Sequence, residues 1–130
     1  MRTMATEWNA ADLEKFGAAT EIQLASRRPD GTLRPWVTIW VVSVAGALYV
    51  RSANGPGNPW YRRAVESGTG SIRAGSLERA VLFLGAQGED HLAIDAAYHA
   101  KYDHYGARIV GSVVGTQAAA VTLRLEPNTG

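Results

Sequence analysis

Arg27, Arg28 and Arg34 flank the turn Arg28-Pro29-Asp30-Gly31, and Arg51-Ser52 stand directly before the loop Asn54-Gly55-Pro56-Gly57-Asn58-Pro59. Guanidinium forks take phosphate oxygens in pairs. A glycine-rich loop can present backbone N–H groups to an anion, and a helix opening at Pro59 would aim its positive end the same way. The pattern predicts an anion site on which basic groups from separate hairpins converge. The alternative is a solvated rim of arginines around structural turns.

The aromatic residues offer a second chemistry. Trp36 and Trp40 share one parity of the segment Arg34–Val44 with Thr38 between them, while Val37, Ile39 and Val41 take the other. Both faces of that strand are then largely apolar. One fills a core, and the other needs a cover: a helix, a second subunit or a flat ligand. Tyr98, Tyr102 and Tyr105 fall on one helical stripe and either pack on the sheet or offer hydroxyls to a pocket. Should a side-chain acid or base be needed, Tyr98 and Tyr102 are the candidates.

Other chemistries find less support. His91, His99 and His104 lie on or beside one helix, with no serine elbow to supply a nucleophile. Asp95, His99 and Asp103 align at i, i+4 and i+8, as the polar side of an amphipathic helix also does, and no second ligand cluster accompanies them. With no cysteine in the chain, thiolate sites and disulfides are impossible, and no metal is expected.

The elements that must position these residues are read from periodicity and punctuation. Asn9 is placed to cap a short helix carrying Leu13 and Phe16. Thr20–Ser26 alternates as a strand, Arg34–Val44 is the strongest strand, and Ala45-Gly46 turns it into Ala47–Ser52, a hairpin expected at the centre of the sheet. Pro59 suits the first turn of a short helix over Trp60–Val65. Ser71–Ala74 and Leu77–Leu84 form a second hairpin around Gly75-Ser76. Glu89–Tyr105 is the best helix, capped by Asp90 and ended by Gly106, and a loop leads to a last strand over Ala118–Glu126. Six strands joined mostly by short turns predict antiparallel pairing and a small barrel with peripheral helices.

The chain has 130 residues, 46% of them hydrophobic, with a formal net charge of +1. That length fits one domain spanning 1–130, with an ordered core over about 7–126. Such a chain buries roughly two-thirds of its unfolded surface and needs no staples. Thirteen basic against twelve acidic residues leave no global field to gather nucleic acid or acidic lipid, so neither partner is expected. No run of about 18 apolar residues marks a membrane span, and no leader is evident, which points to the cytoplasm.

In order along the chain, Arg27-Arg28-Pro29-Asp30-Gly31, Arg34-Pro35, Val37-Thr38-Ile39-Trp40, Leu48-Tyr49-Val50-Arg51-Ser52, Gly55-Pro56-Gly57-Asn58-Pro59-Trp60-Tyr61 and Ile94-Asp95-Ala96-Ala97-Tyr98-His99-Ala100-Lys101-Tyr102 resemble the split-barrel superfamily. That superfamily holds pyridoxamine-phosphate-oxidase-like flavoproteins and deazaflavin-dependent nitroreductases; the likeness is to a small bacterial family of unknown function within it. The resemblance implies a mainly β fold with peripheral helices: a six-stranded antiparallel Greek-key split barrel of the FMN-binding type, usually a homodimer. It implies FMN or a deazaflavin coenzyme resting its ring on Thr38, Ile39 and Trp40. Arg27, Arg28 and Arg34 would take the phosphate. Arg51, Ser52, Asn54 and Gly55 would line the loop side, and Trp60 and Tyr61 would open the short helix.

The chain departs from the nitroreductase pattern. Those relatives carry Lys-Ser-Gly where it has Arg28-Pro29-Asp30, Lys-Gly-Gly where it has Asn54-Gly55-Pro56, and an asparagine where it has Arg62-Arg63. Three readings follow. One is a flavin- or deazaflavin-dependent oxidoreductase acting on a small organic substrate. The alternative is a non-redox, small-molecule-binding barrel that has lost the flavin. The third is a structural dimer whose apolar second face is consumed by the interface.

Overall fold

The computed structural model describes residues 7–53 and 55–128. Helix α1 (Ala10–Ala18) begins where Asn9 accepts a hydrogen bond from the Asp12 amide at 2.8 Å. Strand β1 (Ile22–Ser26) follows. Strands β2 (Val37–Ile39) and β3 (Val42–Val44) come next, then β4 (Ala47–Arg51). Helix α2 (Pro59–Ser67) has proline in its first turn and ends on Gly68 at φ 75°. The hairpin β5 (Thr69–Ala74) and β6 (Leu77–Gly85) leads to α3 (His91–Tyr102), whose first turn is capped by Asp90 accepting from the Ala93 amide. Short helices α4 (Ala107–Val110) and α5 (Thr116–Ala119) precede β7 (Thr122–Pro127).

All strand pairs are antiparallel, in one seven-stranded sheet ordered β2-β1-β5-β6-β7-β4-β3. There are seven strands because the segment expected as one strand is two. It breaks at Trp40–Val41: β2 pairs with β1, and β3 pairs with β4. The hairpin of β3 and β4 therefore stands at one end of the sheet, not at its centre. The two ends of the sheet are joined by only two residues, so the sheet must curl until its edges nearly meet.

The break has a visible cause. At a bend in a strand, backbone groups leave the ladder and need other partners. The Val41 amide lies 3.2 Å from the Tyr102 hydroxyl, and the Val41 carbonyl accepts from Lys101 Nζ at 2.7 Å. Lys101 also donates to the Gly17 carbonyl at 2.8 Å, and the Tyr102 hydroxyl to the Thr20 carbonyl at 2.6 Å. Neighbouring residues of α3 thus clasp the bend to the end of α1.

The apolar residues form two clusters, one on each side of the curled sheet. Inside lie Phe16, Ile22, Leu24, Val41, Leu48, Val50, Ile72 and Leu125, with Val37 and Ile39 packed on them. Outside, Val42, Ala47 and Tyr49 are covered by Ile94, Tyr98 and Tyr102 of α3. Of the covers expected for the second apolar face, a helix is the one found over β3 and β4. No helix among the described residues is long and apolar enough to cross a membrane.

Candidate functional site

Two hollows lie along α2, one beside β2 and the other beside the chain that leads into β2. The first, about 340 Å³, lies at the β2 bend and the start of α2. Thr38, Ile39, Trp40, Arg51 and Trp60 line it. The Trp40 indole is stacked on Tyr102 at 3.9 Å between ring centres, with 3° between planes. That stack fixes the indole. Ile109, Ser112 and Val113, from the segment after α3, form the opposite wall.

The second hollow, about 490 Å³, lies at the start of the Arg34 segment and the end of α2. Arg27, Arg28, Arg34 and Arg63 line it, with Glu66 as the one carboxylate. Arg27 donates to the Gly31 carbonyl at 2.7 Å, and Arg28 to the Leu33 carbonyl at 2.9 Å, so each guanidinium is braced by its own turn. Arg34 Nε is buried with no hydrogen-bond partner. Asp30 is not among the lining residues. Its carboxylate accepts from the Thr32 hydroxyl and amide, which together with nearby Arg28 hold it below the usual carboxylate range.

Not all the expected residues gather here. Arg51 does not join the other arginines. Only 3% exposed, it pairs with Asp95 and donates to Thr122 Oγ1 at 2.9 Å and to the Val113 carbonyl at 2.8 Å. Its fork also meets His91 Nδ1 at 3.2 Å. A guanidinium can only donate, so Nδ1 accepts, and Nε2 carries the hydrogen to the Ala86 carbonyl at 2.8 Å. The expectation that arginines of separate hairpins converge is corrected accordingly: one hairpin and α2 supply the cluster. The buried Arg51 instead ties α3 and the Val113 segment to β4.

Ser52 is fully buried and locks the loop, donating to the Gly55 carbonyl at 2.5 Å and accepting from Asn58 at 2.9 Å. Neither Ser52 nor Gly55 lines the two hollows, and Asn54 lies outside the described residues. Tyr61 lines a separate hollow of about 200 Å³ beside Phe83.

Tyr98 and Tyr102, the candidate acid or base, are fully enclosed and line neither hollow. Burial raises both phenols above their ordinary value, Tyr102 to about 12. Their place is behind the site, as packing. His99 bonds Asp103 at 2.8 Å on the exposed side of α3, and no group of metal-binding residues occurs among the described residues.

Sequence reading missed Arg63 and the wall from Ile109 to Val113. Arg63 had a signal: it stands three residues after Trp60, on the same helical face. The wall had none, because its position depends on the Arg51 and Asp95 contacts.

A model of one bacterial family matches residues 12–125. The chain belongs to that family, described as uncharacterized protein conserved in bacteria (DUF2255). No curated protein matches this DUF2255 chain. Three solved structures are similar to it. The conserved hypothetical protein Rv2991 from Mycobacterium tuberculosis shares 12% identity at TM-score 0.49, over 96% of this chain and 82% of that one. A protein described as F420 reductase shares 14% at TM-score 0.48, over 89% and 93%. A FAD-binding protein from Mesorhizobium loti shares 16% at TM-score 0.45, over 92% and 88%.

Proposed function

We propose that the chain is a cytoplasmic, homodimeric split-barrel protein that binds a flavin or deazaflavin nucleotide between β2 and α2. It would act there as an oxidoreductase on a small organic substrate. Counting Val37–Val44 as one bent strand turns the seven-stranded order into a closed ring of six, which supports the split-barrel reading.

One observation carries the functional reading: the aromatic and the basic hollow open along the same two elements. Trp60 serves the first, and Arg63 and Ser67 the second, all on one helix; Thr38 and Arg34 do the same on one extended segment. About 10 Å of helix separates Trp60 from Ser67. Four residues of chain, Arg34 to Thr38, reach at most about 14 Å. A flat ring joined to a phosphate by a short chain has that reach. The buried, unpartnered Arg34 Nε is a donor that an anion there would satisfy.

When bound, such a cofactor supplies hydride chemistry. The residues of the chain do the rest. Thr38, Ile39 and Trp40 form a shelf, Trp60 bounds it, Arg27, Arg28 and Arg34 hold the anionic end, and Ile109 and Val113 keep water from one side. No side chain on this list needs to act as acid or base.

The test is the absorption spectrum of the purified protein, followed by titration with FMN and with deazaflavin. Saturable binding of either, with a shifted and quenched ring spectrum, is expected. Failure to bind both at high micromolar concentration overturns the reading.

A second reading, a barrel that binds a small molecule without redox chemistry, is favoured by the internal engagement of Arg51 and Ser52. It expects thermal stabilisation by an aromatic, phosphorylated metabolite and none by FMN.

A further inference from the structure

We infer that the basic hollow is built for a diphosphate, and that Arg63 is the residue that makes it so. The inference rests on the reading above only in placing an anion in this hollow, and not on any ring or redox step. Four guanidiniums line the hollow against one carboxylate, Glu66. A phosphate monoester carries about two negative charges and three acceptor oxygens. Two bidentate forks satisfy such a group. Arg27, Arg28 and Arg34 all come from one hairpin and already exceed that need. Arg63 approaches from the other wall, on α2, and is not part of any of the five ion pairs among the described residues. A second phosphoryl group gives it a partner and brings the charge of the ligand closer to that of the hollow. The volume of about 490 Å³ exceeds that of the neighbouring aromatic hollow, about 340 Å³, so space does not restrict the site to one phosphate.

The geometry also separates Arg63 from its neighbour. Arg62 is likewise exposed on α2, but it is not among the residues lining the hollow. The two arginines are adjacent in sequence and about 100° apart around the helix. They carry the same charge, so a comparison between them removes the general effect of net charge on anion binding.

The experiment is calorimetric titration of the whole chain at fixed ionic strength with inorganic pyrophosphate and with orthophosphate. Pyrophosphate should bind at least tenfold more tightly. Arg63→Gln should remove most of that preference while changing orthophosphate affinity less than threefold, and Arg62→Gln should leave both within twofold of the parent. Equal affinity for the two anions, or the same loss in the Arg62 and Arg63 variants, overturns the inference. ADP and FAD then distinguish the source: similar affinities indicate a nucleoside diphosphate, and a tenfold advantage for FAD indicates a flavin dinucleotide. If pyrophosphate binds with this pattern and no flavin binds, the cofactor reading fails and the diphosphate site stands. If FMN binds without any pyrophosphate preference, the reverse holds.

Discussion

Two tyrosines one helical turn apart have opposite relations to their own hydroxyls. The Tyr98 hydroxyl is buried with no partner, whereas that of Tyr102 is held among the Thr20 carbonyl and the Val41 amide and carbonyl. Removing an unpaired buried hydroxyl removes a desolvation penalty, while removing a bonded one strands its partners. Tyr98→Phe should therefore leave stability unchanged or raise it by up to about 1 kcal/mol, and Tyr102→Phe should lose about 1–3 kcal/mol, read from urea midpoints. A loss in Tyr98→Phe as large as in Tyr102→Phe contradicts this assignment.

The same region sets a pH dependence. Burial lowers Lys101 to about 8, so between about 8 and its ordinary value the unfolded chain holds more protons than the folded one. Stability from this group rises with pH across that window. Burial raises Tyr102 to about 12, so its contribution is complete below about pH 10 and is lost as the pH climbs through 12. Urea midpoints should climb from pH 7.5 to 9.5 and fall by pH 11.5, and Lys101→Met should flatten the climb alone.

Single contacts also govern how the elements fit. β5 approaches β1 and β6 so closely at Gly70 that a Cβ there would stand 2.1 Å from the Ala25 carbonyl oxygen and 2.8 Å from the Phe83 ring. Backbone on one side and a packed ring on the other leave little room to yield. Gly70→Ala should cost about 3 kcal/mol or more, the upper end of overpacking, with Gly57→Ala, in open space, as the neutral control.

The Arg51 and Asp95 pair joins β4 to α3. The Arg51 side chain is fully buried and the Asp95 side chain is 23% exposed, so removing the guanidinium strands the Val113 carbonyl and a partly solvated carboxylate, at a cost of about 1–3 kcal/mol. Arg51→Met should lose stability on that order. It should also loosen the segment around Val113, whose carbonyl Arg51 holds, which hydrogen exchange at residues 110–116 would report. Exchange there unchanged from the parent would show that the wall is held by something else.

At the scale of the whole molecule, a ligand of the kind proposed would span two hollows formed by residues distant in sequence. Arg34→Gln and Trp60→Ala act on opposite ends of it. Arg34→Gln should weaken a bound flavin nucleotide tenfold or more and flatten the salt dependence of binding, because a charged contact is screened by salt. Trp60→Ala should weaken it while leaving the salt dependence intact. Identical salt profiles in the two variants would argue against a ligand lying lengthwise between them.

The sequence by itself determined the local structure of this protein: the Asn9 and Asp90 caps, the Ala45-Gly46 turn, proline opening α2, and the alternation that gives each strand its two faces. These are set by interactions within a few residues, so periodicity and capping chemistry reveal them. It also marked Arg27, Arg28 and Arg34 as a cluster, because one tight turn keeps them together. Only the tertiary structure decided that Arg34–Val44 breaks at Trp40–Val41, since the groups that stabilise the bend come from α3, some 60 residues on. Only the tertiary structure turned Arg51 inward, where Asp95 and Thr122 meet it, and brought Arg63 to the hairpin arginines. A guanidinium looks the same in sequence whether it faces solvent, a carboxylate or an anion site; long-range packing supplies its partners.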